Sequence, residues 1–242
     1  MINANSFDGN VSLRIGLFSL SYALYYFIVT ALTVFFAAAW RNATVALTSM
    51  LGIWIIWTLF LSNIALSTVE KWHPLPSRFE FKAAMKEDRA KGIDGHNLKD
   101  ERAKALKEEI LAEYGVKSLK DLPVNFDGIR MQADEEYGNK VWDKHFGGIR
   151  EVTQRQKRSL QLSGLLSPFI SLQNASMGFA ASDNLHHQDF LYQVEQYRRV
   201  FIKELNDKHA YGGSKTGNWG WKLGPEFFET VTDFEYRPPS IA

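Results

Sequence analysis

The chain has no cysteine. That removes disulfides, thiolate catalysis and cysteine-ligated zinc from consideration. It also lacks a charge of one sign in excess: 28 Lys and Arg stand against 27 Asp and Glu, for a formal net charge of +1. Without a basic excess there is little to neutralise a phosphate backbone, which argues against a nucleic-acid partner. The most informative absence is local. Residues 15–40 and 43–69 contain no charged side chain, and only Arg41 and Asn42 separate them.

Each of these runs exceeds the length of about 20 residues that crosses a hydrocarbon core of roughly 30 Å at about 1.5 Å per residue. Together they predict a transmembrane helical hairpin with an almost loopless turn. The mean hydropathy of -0.22 hides this, because it averages two unlike parts. Residues 1–69 hold only Asp8, Arg14 and Arg41, and every other charge falls in residues 70–242. The first run is too long for a signal-peptide core, its flank carries no basic cluster, and a second run follows at once. Two buried helices of a soluble bundle would need polar faces, which neither run has.

Tyr22, Tyr25, Tyr26 and Trp40 lie toward the ends of the first run, as aromatic residues do at membrane interfaces. The second run carries Ser49, Gly52, Thr58, Ser62 and Asn63. Small and hydrogen-bonding residues of this kind favour helix–helix packing in lipid, so these five are the packing candidates. No ionisable group lies inside either run, so neither predicts a proton or ion path. Charge alone leaves the orientation undecided, because long domains translocate largely regardless of charge.

The expected organisation is all-α: a segment over 1–12, the hairpin over 13–70, a helical domain over 71–210, and a tail over 211–242. Pro74 and Pro76 stop the second span and stiffen an extended exit. Ser77 followed by Arg78, Phe79 and Glu80 has capping-box spacing. Helices are predicted over 78–91, ending at Gly92, and over 98–114, ending at Gly115. The second carries an apolar stripe of Ala103, Leu106, Ile110 and Leu111. A long helix follows over 128–163, with Gly147-Gly148 as a candidate break. Shorter helices are expected over 168–180 and from 184 to about 206, the last capped by Ser182 or Asp183. The tail reads as loop, with Trp219, Trp221, Phe227, Phe228, Phe234 and Tyr236 either packed on the domain or placed at a headgroup layer.

Chemical signals are sparse. Residues 212–217 (Gly-Gly-Ser-Lys-Thr-Gly) hold the letters of a phosphate loop in the wrong order, with no strand before and no helix after. His186 and His187 with Asp183 and Asp189 form a poor metal set, since adjacent histidines point to different helix faces. Glu108 and Glu109, or Glu135 and Glu136, are adjacent rather than face-matched, which does not suit paired-carboxylate catalysis. No catalytic, cofactor-binding or metal residue is assigned.

A set of residues nonetheless resembles a family. It runs from Ala46-Leu47 through Trp54 and Trp57 to Pro74-Leu75-Pro76-Ser77-Arg78-Phe79-Glu80-Phe81. It continues with Leu166-Ser167-Pro168, Gln173, Ser176-Met177, Asp183, His187, Phe190, Glu195, Tyr197-Arg198 and Phe201, and closes on Phe234-Glu235-Tyr236-Arg237-Pro238-Pro239. This resembles the C-terminal half of a bacterial type-2 ABC transporter permease, in the branch with a large extracytoplasmic domain before its last helix. The resemblance implies that the two runs are the fourth and fifth of six spans and that residues 71–242 lie outside the cytoplasm of an inner-membrane protein. It implies a partial permease without the earlier spans or the last. It also implies a separate ABC ATPase subunit, further permease helices or a second copy, and ATP-driven export rather than enzymatic activity in this chain. The other reading is a membrane-anchored extracytoplasmic binding module without transport activity.

Overall fold

Long charge-free runs with few helix breakers do form two long helices, as hydrocarbon-scale apolarity dictates. A computed structural model describes residues 9–97, 99–218 and 220–239. Every regular element among them is helical. They are α1 (Gly9–Ala39), α2 (Ala43–Ile55), a π-helical turn (Ile56–Leu61), α3 (Ser62–Trp72), α4 (Arg78–Ala90) and α5 (Glu101–Glu113). There follow α6 (Phe126–Ser163), α7 (Pro168–Phe179), α8 (Asn184–Tyr211) and α9 (Pro225–Thr230). The helix α2, the π turn and α3 run on as one helix of 30 residues, and α1 has 31. Both are long and apolar enough to cross a membrane.

The chain divides into two units. The first comprises Met1–Leu75, Ile149–Phe190 and Arg237–Ala242; the second comprises Pro76–Gly148 and Leu191–Tyr236. In the first unit α1 pairs with α2 through the turn at Arg41 and Asn42, and α7 packs on α1 and on the π turn. Asn42 makes that tight turn workable by capping α2: its Oδ1 accepts from the Thr44 N–H at 2.9 Å.

The second unit holds a small core of Ile110, Leu122 and Phe126, with Leu106, Leu111, Val116, Leu119 and Ile129 packed around it. The apolar stripe of α5 points into this core, and Ala103 is also buried. Gly115 ends α5 at φ +65°. There the Val116 N–H reaches the Leu111 carbonyl at 3.0 Å and the Gly115 N–H reaches Ala112 at 3.1 Å, a Schellman closure. The capping box is complete: Glu80 N–H donates to Ser77 Oγ at 3.2 Å, and Ser77 N–H donates to Glu80 Oε2 at 2.8 Å.

The long helix passes Gly147-Gly148 without a break. Neither glycine has a neighbour within 4 Å of where a Cβ would stand, so the pair lowers propensity without meeting anything that would bend the helix. Helix α8 extends to Tyr211, past the expected end near 206, and the tail contains the short α9. Trp219 lies outside the described residues.

Candidate functional site

The two long helices and α7 hold the most unusual geometry. A shallow apolar groove of about 380 Å³ runs between the paired helices, lined by Val29, Thr33 and Ala37 on one side and Ala46, Met50 and Trp54 on the other. Ala46, Met50, Ala65 and Val69 are the buried positions of the second helix. The packing candidates are placed differently. Ser49, Gly52, Thr58 and Ser62 are partly buried, and Asn63 is exposed. Thr58 Oγ1 donates to the Trp54 carbonyl at 2.8 Å, and Asn63 Nδ2 donates to Leu59 at 2.7 Å, each within its own helix. A Cβ at Gly52 would meet nothing within 4 Å.

The π turn at Ile56–Leu61 inserts one residue into the helical ladder, so a carbonyl there is freed for other donors. The Trp57 carbonyl takes two. Ser62 Oγ donates to it at 3.2 Å, and Ser167 Oγ, from the turn before α7, donates at 3.2 Å. Ser167 is fully buried and also caps α7, accepting from the Ile170 N–H at 3.4 Å. Pro168 then occupies the first helical position, where its missing N–H costs nothing. Phe169 of α7 lies against Tyr25 of α1, ring centroids 6.3 Å apart.

Arg14 holds the other end of α7. It is buried, and its Nη1 donates to the Gly178 and Phe179 carbonyls at 3.3 and 3.2 Å, while its Nη2 donates to the Pro239 carbonyl. A cation at a helix C-terminus satisfies carbonyls that the helix leaves open and complements the helix dipole. From sequence, Arg14 is only one flanking charge; its partners lie more than 160 residues away.

Just past α7, Asp183 is occupied from three directions. Its Oδ1 accepts from the His186 N–H at 2.9 Å, capping α8, and lies 2.7 Å from His186 Nδ1; its Oδ2 accepts from Lys157 Nζ at 2.6 Å. Burial alone would raise this carboxyl, but the Lys157 ammonium and the two His186 contacts outweigh burial and hold it at about 2. That is a structural capping node. Among the described residues no three metal-ligating side chains converge.

In the second unit Glu195 lies between Arg198 (2.9 Å) and Arg199 (3.0 Å). Arg198 also binds Glu135 at 2.7 Å, and Arg199 binds Asp143 at 2.7 Å. Burial pushes the Glu195 carboxyl up, the two guanidinium contacts push it down, and the net direction is down. Asp88 is held far below the usual carboxylate range by Lys144, then Lys91, then His145. A depression of about 350 Å³ between α6 and α8 is lined by His96, Asp134, Glu135, Asn206, His209 and Trp221. Its carboxylates are already engaged, Asp134 by Arg89 at 2.5 Å and Glu135 by Arg198. These carboxylates are anchors, each met by a cation rather than poised as a base.

The phosphate-loop letters serve as a latch. Asn125 Nδ2 donates to Ser214 Oγ at 2.8 Å and to the Lys215 carbonyl at 3.1 Å. Thr216 Oγ1 accepts from the Phe126 N–H at 2.9 Å, and Lys215 Nζ donates to the Leu122 carbonyl at 3.1 Å. The Gly217 N–H donates to Asp127 Oδ2 at 2.9 Å. The loop is therefore tied, as donor and as acceptor, to the start of α6 and the residues just before it.

The elbow ends α3 and starts α4. His73 closes α3, its carbonyl accepting from Gln156 Nε2 at 2.7 Å and its ring lying 3.1 Å from Ser159 Oγ. Pro74 and Pro76 flank the division between the two units, at Leu75 and Pro76. Ser77 caps α4, Arg78 opens it, and Phe79 is among the most exposed apolar side chains.

Another long uncharged run lies further along the chain. Residues 159–182 contain no Asp, Glu, Lys or Arg. The run includes α7 and the turn before it, but Gly164, Pro168 and its many serines break the long-span pattern. Comparison with curated proteins and with solved structures returns no match. A family model does match, over residues 78–237, which is α4 through the tail beyond α9. The chain therefore belongs to the family described as Domain of unknown function (DUF3526).

Proposed function

We propose that this chain is a membrane-spanning permease subunit of an ATP-driven ABC export system, whose family domain lies outside the cytoplasm. The observation that carries the proposal is the surface of the two long helices. Leu20, Phe27, Val34, Phe35, Leu47, Leu59, Phe60 and Ile64 are all exposed, on helices without a charged side chain between residues 15 and 40 or 43 and 69. In water such a surface is costly, at about 25 cal/mol per Å² of apolar area. In a bilayer, or against further spans, it is the stable state. The resemblance of the Pro74–Phe81 exit and the Ser167–Pro168 to Phe201 residues to a type-2 permease supplies the rest of the reading.

In this account ATP is hydrolysed on a separate ATPase chain. Closure of its nucleotide-binding domains moves the spans, including helices contributed by another chain or by a second copy. Gly52 and the apolar groove between the spans offer faces on which such helices pack closely. The chain itself performs no catalysis.

One observation favours the other reading, an anchored binding module. Thr58, Ser62 and Asn63 satisfy their polar groups on their own helix, which is what a self-sufficient lipid-facing span does. Purification of the tagged full-length protein from native membranes in mild detergent separates the two. The permease reading predicts that an ABC ATPase chain co-elutes in near-stoichiometric amount. Elution free of any ATPase, with the family domain still folded, supports the anchor instead.

A further inference from the structure

From the geometry of the first unit we infer that the end of α6 and the turn before α7 form a lipid-embedded wedge, with Leu162, Leu165 and Leu166 inserted among acyl chains beside the two spans. This rests on the membrane reading above. The three leucines are 69%, 86% and 70% exposed, so nothing among the described residues covers them. Their depth is fixed by a hydrogen bond. Ser167, adjacent to Leu166, donates to the carbonyl of Trp57. Trp57 is 14 residues beyond the start of α2. At about 1.5 Å per residue that is about 21 Å from the hairpin turn, inside a hydrocarbon core of roughly 30 Å.

The rest of α7 agrees with that depth. It runs antiparallel to α1, from Phe169 beside Tyr25 to Gly178 and Phe179 beside Arg14. Arg14 lies 26 residues before Trp40, about 39 Å along the helix from the turn and so beyond the core, at headgroup level. The cation is thus placed where water and phosphate are, and the leucines where hydrocarbon is. The uncharged run of residues 159–182 covers the whole excursion.

Hydrocarbon also demands that backbone groups be satisfied within the protein. The turn meets part of that demand within itself. The N–H groups of Gly164, Leu165 and Leu166 donate to the carbonyls of Gln161, Leu162 and Ser163, each at 3.1 Å. The Gly164 carbonyl accepts from Ser171 Oγ at 2.9 Å, and Ser163 Oγ donates to the Ser159 carbonyl at 3.0 Å. Three leucines displayed together suit hydrocarbon better than water. The ligand chemistry is that of acyl chains, with no headgroup specificity required.

The absence of cysteine makes the test clean. Single variants Leu165→Cys, Leu59→Cys and Lys104→Cys of the full-length protein are reconstituted in phosphatidylcholine vesicles and treated with a charged maleimide. Leu59 reports the span and Lys104 the family domain. The wedge predicts labelling at Leu165 slower than at Lys104 by about tenfold or more, as at Leu59, because thiolate does not form in hydrocarbon. In matched vesicles with acyl-chain nitroxide lipids, a fluorophore at Leu165 is quenched and one at Lys104 is not. Fast labelling at Leu165 with protection at Leu59 overturns the wedge and leaves the membrane reading standing. Fast labelling at both positions overturns the wedge and the membrane reading together.

Discussion

At the scale of single residues, this protein uses buried charge for attachment. Asp127 and Arg130 face each other at 3.3 Å with side chains only 3% and 2% exposed. Asp127 also takes the Gly217 N–H, so it fastens the latch as well as the start of α6. Replacing Asp127 by Ala leaves the Arg130 guanidinium buried without its counter-charge, which should cost about 3–5 kcal/mol; denaturant unfolding of the full chain in detergent measures it. Asp183 gives a pH dependence of definite sign. Its carboxyl sits at about 2 in the fold against an ordinary value of 3.8. The stability it adds is present above the unfolded value and is lost as pH falls from about 4 toward about 2. Amide protection factors in the first turn of α8 should therefore fall as pH drops across that window, and Asp183→Asn should remove the dependence.

At the scale of elements, the helix ends are where sequence logic and structure meet most closely. Ser77 with Glu80, Asn42, Ser167 with Pro168, and Gly115 each mark a boundary by a local mechanism, and a local mechanism is legible in a sequence. The end of α7 departs from the usual chemistry. Ala181 holds φ +53°, where a Cβ is disfavoured, so that the Ser182 N–H can reach the Met177 carbonyl at 3.0 Å. Ala181→Gly should stabilise the fold by up to about 1 kcal/mol, read as a rise in the thermal midpoint. The π turn, by contrast, had no signal in Ile56–Leu61. Its reason is Ser167, 110 residues away, which uses the freed Trp57 carbonyl. Arg14 is the same case: an isolated cation by sequence, and a clamp on α7 by structure. Long-range pairs of this kind leave no periodicity behind. The unbroken α6 shows the converse, a local breaker pair at Gly147-Gly148 with no tertiary neighbour to turn it into a kink. The phosphate-loop letters of residues 212–217 stand in the wrong order for a nucleotide loop, and their use as a latch on Asn125 is visible only in three dimensions.

At the scale of the whole molecule, the division of charge along the chain agrees only partly with the division of the fold. The hairpin unit recruits residues 149–190 from the charged part of the sequence. The match to the family begins at Arg78, where α4 starts, and so leaves out the two long apolar helices. The account of this chain as a spanning subunit stands on the hairpin. The measurement that tests it most directly is the sidedness of two single cysteines, Asn42→Cys in the turn and Lys104→Cys in the family domain, each probed with a membrane-impermeant maleimide in intact cells whose inner membrane is sealed. The account predicts that Lys104→Cys is labelled from outside and that Asn42→Cys is labelled only after the membrane is opened. Labelling of both positions from the same side would show that the two helices do not cross, and would contradict it.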